Sequence, residues 1–230
     1  RKVTAKTKML ILNSPHNPCG SALLKNDIEA LAEIARDNNF WVMSDEVYSK
    51  IIYEGSHHSI ASEPGMKERT ILIDGFSKTY AMTGWRLGYA IGPPQVIAHM
   101  VKLQINIASC PAAFTQMAAI EALKGPQDAT KKMVQEFDRR RRTIVSGLNS
   151  IKGMSCNMPG GAFYVFPNVK RLGMNSRDIM MKLLNQGHVA TLHGDAFGPA
   201  GAGYLRLSYA TSLENIKEAL TRIKPIVEEL

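Results

Sequence analysis

An α/β fold is predicted: part of a mostly parallel, helix-covered sheet, followed by a small α+β C-terminal domain. Three observations predict it. Short apolar runs ended by turn residues alternate with helical spacings through the first half. Three polar residues of different chemistry, Asn17, Asp45 and Lys78, each fall just after a predicted strand, where ligands collect in such sheets. The second half changes character, with long helical segments leading into short strands and further helices.

Taken in order, Met9–Asn13 reads as a buried strand closed by the turn sequence NSPHNPCG. Lys25–Asn38 places Ile28, Leu31, Ala32, Ile34 and Ala35 at helical spacing, with Asn26 or Asp27 as its cap. Phe40–Ser44, Thr70–Asp74 and Leu87–Ile91 read as further strands, and Pro94–Ile107, Pro111–Lys124 and Gln127 to about Ile151 as helices. The smaller unit follows as strand Ala162–Phe166, helix Ser176–Gln186, strands His188–Leu192 and Tyr204–Tyr209, and helix Leu213–Glu229. The division expected is a large domain over 1–143, including the linking helices, and a small domain over 144–230.

Composition narrows the function. The 230 residues carry a net charge of +8 and are 45% hydrophobic, as in a globular protein of one large or two modest domains. No apolar run has the length of a membrane span, which points away from a membrane protein. The basic charge is spread out. Its one dense block, Arg139–Arg142, follows Glu136 and Asp138 and reads as a solvated helix face rather than a nucleic-acid surface. Cys19, Cys110 and Cys156 are scattered and odd in number, which fits a reducing, cytoplasmic compartment and no disulfide framework. The opening Arg1-Lys2-Val3 lacks an initiator Met and leads quickly into an apolar strand, so the chain reads as a piece of a longer protein.

Six residues stand out chemically. Lys78, within GFSKTYAMTGWRLGYAIG, becomes a nucleophile only when neutral, which burial near another cation promotes. Arg86 serves as that cation or as the anchor of an anion bound beside the lysine. Asp45, in SDEVY, either holds a protonated ring nitrogen by a charge-assisted bond or caps a turn. Tyr48 either shares that pocket through its hydroxyl or packs. Asn17 lies on a loop stiffened by two X-Pro units and a glycine, which aims it at a ligand or closes an Asx turn. Arg206, in YLRLSY, alternates away from Leu205, Leu207 and Tyr209, so its guanidinium either captures a carboxylate or is simply exposed.

In this order, NSPHNPCG, SDEVY, SKTYAMTGWRLGY and YLRLSYA resemble the class I, aspartate aminotransferase-like aminotransferases of the fold-type-I pyridoxal-phosphate superfamily. The resemblance covers essentially the whole chain and implies transamination between an amino acid and a 2-oxo acid, with pyridoxal 5'-phosphate as cofactor and a homodimer as the assembly. Lys78 would hold the cofactor covalently and carry a proton between substrate Cα and cofactor. Asp45 would keep the pyridine nitrogen protonated, so that the ring withdraws electrons. Asn17 and Tyr48 would bond the ring 3-oxygen, Arg86 the phosphate and Arg206 the substrate α-carboxylate. No metal is implied.

Departures are visible. Gly75 stands where many members carry a phosphate-binding Ser, and Cys19 where Thr is usual. The glycine-rich phosphate loop and the ring-stacking aromatic are expected upstream of this chain, so the chain alone is expected to bind cofactor weakly or not at all. Two alternatives share the fold: a carbon–sulfur lyase, and the ligand domain of an aminotransferase-like transcription regulator.

Overall fold

A computed structural model describes residues 2–230. Contacts divide the chain into two compact units: residues up to Pro15 with Ala22–Lys131, and His16–Ser21 with Lys132–Leu230. The short segment His16–Ser21, which carries Asn17, therefore belongs with the C-terminal unit although it lies near the start of the sequence.

The first unit is built on four strands, β1 (Met9–Asn13), β2 (Trp41–Asp45), β3 (Thr70–Gly75) and β4 (Gly88–Ile91), in the order β1-β2-β3-β4. The first three are parallel, with Asn13 opposite Asp45 and Asp45 opposite Ile73. Strand β4 runs antiparallel to β3, pairing Gly88 with Gly75. Helix α1 (Lys25–Asp37) makes the β1-to-β2 crossover and buries Ile28, Ala32 and Ala35 against Leu12, Phe40, Val42, Ile60 and Met66. Alternation along β1 turns Leu12 to this core and leaves Ile11 64% exposed. The cap of α1 differs from expectation. Leu24 is the capping residue, and Asp27 sits in the first turn, where its carboxylate accepts the Leu24 N–H at 2.9 Å.

Helices α2 (Phe76–Thr79), α3 (Pro94–Ala108) and α4 (Ala113–Lys124) follow, then α5 (Asp128–Asn149), within which the division between units falls. Pro94 starts α3, where its missing N–H is no loss. Helix α3 buries none of its side chains, and Ile107 is 80% exposed. Among the described residues no helix is long and apolar enough to cross a membrane.

The second unit holds a three-stranded sheet in the order β5-β7-β6, from β5 (Tyr164–Val165), β6 (Leu192–His193) and β7 (Leu205–Ser208), with both pairings antiparallel. Helices α6 (Ser176–Gly187) and α7 (Leu213–Glu228) contribute the buried Ile179, Leu183, Ile216, Ile223 and Val227. The strand expected over His188–Leu192 is displaced to Leu192–His193. His188 takes a left-handed conformation, and the N–H groups of His188 and Val189 return to the Leu184 and Leu183 carbonyls, so α6's C-terminal closure consumes those residues.

The Arg139–Arg142 block is also corrected in part. Arg139, Arg140 and Arg142 pair with Glu136 or Asp138 along the α5 surface. Arg141 is instead 1% exposed, bonded to Asp138 and, at 2.6 Å, to the Pro159 carbonyl. A buried charge persists only when so paired.

Candidate active site

In the first unit the parallel strands β2 and β3 end on the same rim, and each delivers one candidate. Asp45 closes β2. Its backbone carbonyl accepts the Asn13 side-chain amide and the Ser14 N–H, both at 3.2 Å, and its Oδ1 accepts the Val47 N–H at 3.3 Å. The turn-capping role weighed for Asp45 is thus present. Three residues on, Tyr48 is buried within the turn.

Lys78 and Arg86 sit on one connection between β3 and β4. Lys78 lies half-buried in the single turn of α2. The base of the connection is closed by the Gly75–Gly88 pair and by the Phe76 N–H bonding to the Leu87 carbonyl at 3.3 Å. A Cβ on Gly88 would lie 3.1 Å from the Asp74 carbonyl, and one on Gly75 would lie 3.3 Å from the Gly88 Cα, so the two backbones approach closely. Thr83 donates to the Ser77 carbonyl and Arg86 Nη1 to the Thr83 carbonyl at 2.9 Å, which braces the interior of the connection. Arg86 ends a 3₁₀ turn in the left-handed region, with φ 54°. It is exposed and borders a cleft of about 740 Å³ shared with Trp85, Gln104, Phe114 and Thr115.

Two polar clusters support this rim, and the sequence reading had assigned neither. Glu46 is 4% exposed and accepts from Ser44, Ser59 and His57, the last at 2.7 Å. Burial pushes its carboxyl upward, but the bonds from His57, Ser59 and Ser44 outweigh this and hold it below the usual range. The alternation Ser44, Glu46, Tyr48, all buried, carried the signal for it.

Asp74 is the second case. It accepts the Gly75 N–H at 2.6 Å and the Tyr89 hydroxyl at 3.1 Å. Burial nevertheless raises its pKa, and the Glu46 charge adds to the rise. The folded pKa therefore lies above the unfolded value of about 3.9, and ionised Asp74 costs stability at neutral pH, a cost that vanishes below about pH 4. In Asp74→Asn one oxygen still accepts from Gly75 and the amide donates to the Tyr89 oxygen. Thermal midpoints are expected to favour the variant more at pH 7 than at pH 4. A difference that does not change with pH would contradict this account.

In the second unit, Asn17 and Arg206 meet directly. Arg206 Nη1 donates to Asn17 Oδ1 at 2.9 Å, across 189 positions of sequence. Arg206 lies in β7, the middle strand, with Leu205 and Leu207 buried on the opposite face, as the alternation predicts. Its guanidinium carbon is 4.7 Å from the Tyr164 ring centre and 4.9 Å from that of Phe197.

The Asn17 loop is fastened at its far end. Gly20 donates to the His16 carbonyl, and its own carbonyl accepts the Gly161 N–H at 2.9 Å. Both X-Pro bonds, Ser14–Pro15 and Asn17–Pro18, are cis. Gly20 has φ +69°, and a Cβ there would lie 2.6 Å from Pro159 Cβ and 2.7 Å from the Tyr164 carbonyl. Arg141, through the Pro159 carbonyl, stiffens the segment against which the loop rests.

The first unit thus carries a half-buried amine, a strand-end carboxylate and a guanidinium, and the second an aromatic-flanked arginine. Comparison with known proteins gives the family. The family model for aminotransferase class I and II matches residues 1–223. The aspartate aminotransferase of Pyrococcus abyssi is 47% identical over 99% of this chain and 59% of its own length. The aromatic-amino-acid aminotransferase 2 of Thermococcus litoralis is 43% identical, again over 99% of this chain and 59% of its own. The crystal structure of an aromatic aminotransferase from Pyrococcus horikoshii superposes with a TM-score of 0.96 at 45% identity, covering 99% of this chain and 62% of that one. The chain belongs to the class I and II aminotransferases. It spans about three fifths of the length of these relatives.

Proposed function

We propose that the whole protein to which this chain contributes is a pyridoxal-phosphate-dependent aminotransferase, moving an amino group between an amino acid and a 2-oxo acid. The observation that supports this reading is that Lys78 and Arg86 share the braced connection leaving β3, and that β3 is the sheet neighbour of β2, which Asp45 ends. The donor set suits the cofactor: an amine for an aldehyde, a carboxylate for a ring nitrogen, a guanidinium for a phosphate, and the phenol of Tyr48 for a ring oxygen. When bound, pyridoxal phosphate supplies an electron-withdrawing ring that acidifies the substrate Cα–H.

The chain's own residues do the rest in this reading. Lys78 would hold the cofactor and, as a neutral amine, would accept the proton from the substrate Cα. Asp45 keeps the ring nitrogen charged, Arg86 fixes the phosphate, and Asn17 contributes to both ring oxygen and substrate. Arg206 takes the α-carboxylate with its planar fork. Residues 1–143 form the cofactor domain in this scheme and 144–230 the small domain. Two properties of the whole protein belong to the same reading. The apolar side chains exposed on α3 and α4, among them Leu103, Ile107, Phe114 and Met117, suit the contact of a homodimer. The free cysteines suit the cytoplasm.

The test is a pair of half-reactions on the full-length protein loaded with pyridoxal phosphate. Aspartate, alanine, phenylalanine and leucine are offered singly, and the cofactor spectrum and the 2-oxo acid formed are followed. Stoichiometric 2-oxo acid from at least one donor, reversed by adding a 2-oxo acid, is the expected result. Release of a thiol from cystathionine with no transamination of any donor would contradict it.

A further inference from the structure

The surroundings of Arg206 hold more than a carboxylate receptor requires. Tyr164 is buried, as a side chain filling space would be, but Phe197 is 40% exposed and still keeps its ring within 5 Å of the guanidinium. An exposed aromatic held in one place needs a reason, and the turn that carries it is built to hold it.

Phe197 ends the 3₁₀ turn Gly194–Phe197, and a second turn, Pro199–Gly201, follows. The two turns are pressed together at Gly194 and Gly201, where a Cβ on either residue would run into the backbone of the other. Asp195 accepts the Ser176 hydroxyl at 2.6 Å and ties the first turn to α6. Phe166 meets Phe197 edge-on at 6.4 Å and itself stacks on Tyr204 at 5.1 Å. Phe197 is therefore fixed by backbone contact, by a hydrogen bond and by an aromatic neighbour.

We propose that Phe197 is a positioning residue for the substrate α-carboxylate. This rests on the function proposed above and adds the way in which its carboxylate subsite is set. A free arginine side chain samples many rotamers and keeps its guanidinium in water. Fixing it before the ligand arrives removes that ordering cost from binding. Aromatic rings beside a guanidinium also attract it through their quadrupole while displacing water. Together with Tyr164 and the Asn17 acceptor, Phe197 holds the fork of Arg206 in the plane in which a carboxylate is gripped by parallel hydrogen bonds. Because the α-carboxylate is common to all amino and 2-oxo acids, the effect is general and does not select among side chains.

The test uses the full-length protein loaded with pyridoxal phosphate and 2-oxoglutarate as the probe, since that form cannot transaminate a 2-oxo acid and binding alone is read by calorimetry. The variants are Phe197→Ala, Phe197→Leu and Phe197→Tyr, with Arg206→Ala as the reference for loss of the subsite. Alanine and leucine are expected to weaken 2-oxoglutarate by roughly threefold to thirtyfold, with thermal midpoint and cofactor affinity unchanged, and tyrosine to restore the wild-type value. If the alanine variant does not fold, the leucine variant decides, since it keeps apolar bulk and removes only the ring. Binding as tight as wild type, or a loss that merely follows a fall in thermal midpoint and cofactor affinity, overturns the proposal. Should Arg206→Ala bind as well as wild type, the carboxylate role of Arg206 falls and the proposal with it. Covalent attachment of cofactor to Lys78, measured separately, then shows whether the aminotransferase reading itself survives.

Discussion

Lys78→Arg is expected to abolish covalent attachment of the cofactor and to lower the rate of amino-group transfer in the full-length protein by roughly 10⁴-fold or more. Arginine keeps the positive charge and much of the length of lysine, but it cannot lose its proton in a protein and so serves neither as nucleophile nor as base. The rest of the donor set is untouched. Arg86 keeps its bond to the Thr83 carbonyl, and Asp45 keeps its place at the end of β2. The variant should therefore still bind pyridoxal phosphate reversibly, with a spectrum that no longer responds to amino acids as wild type does, and with its thermal midpoint preserved. Steady-state rates, absorption spectra and melting curves measured together separate a chemical role for Lys78 from a structural one.

Gly20→Ala should be among the most destabilising single-methyl changes in the chain, at about 2–4 kcal/mol. Two effects combine there. The left-handed backbone at φ +69° is unfavourable to any residue with a Cβ, and that Cβ would meet Pro159 Cβ and the Tyr164 carbonyl well inside contact distance. Gly55 is the natural control: it has φ +73°, but nothing lies within 4 Å of an added Cβ. Gly55→Ala then reports the backbone cost alone, about 1 kcal/mol. Denaturant titration of both variants isolates the packing contribution, and equal losses would refute it. Because Gly20 fastens the loop that presents Asn17 to Arg206, Gly20→Ala is also expected to weaken 2-oxo acid binding, whereas Gly55→Ala is not.

The sequence was most readable where one local rule governs. A short apolar run ended by turn residues gave the position of β1, though not its half-exposed faces, period-two alternation gave the two faces of β7, and the paired X-Pro units with a glycine marked a stiff loop around Asn17. Features set by distant partners were hidden. Arg141 looks like its three neighbours in sequence, and its burial and its bond to the Pro159 carbonyl, reached through the fold, separate it from them. Glu46 gains His57 and Ser59 from a later turn. Phe197 meets Arg206 across a strand boundary that helical and strand periodicities do not encode. The displaced β6 is a related case, since a strand pattern at His188 lost to the closure of the preceding helix. The antiparallel course of β4 was also hidden in its composition; it is set by the Gly75–Gly88 pairing, which brings the chain straight back beside β3 after the connection bearing Lys78 and Arg86.

The central claim, that Lys78 is the residue that carries the cofactor, is tested most directly by chemical labelling. The full-length protein and this chain are each titrated with pyridoxal phosphate, reduced with borohydride and digested, and the modified peptide is sequenced. The account predicts a single reduced label in the full-length protein, on Lys78 within GFSKTYAMTGWRLGY, with little or none on the chain alone. Label on another lysine of the full-length protein, or no stable label, would contradict it.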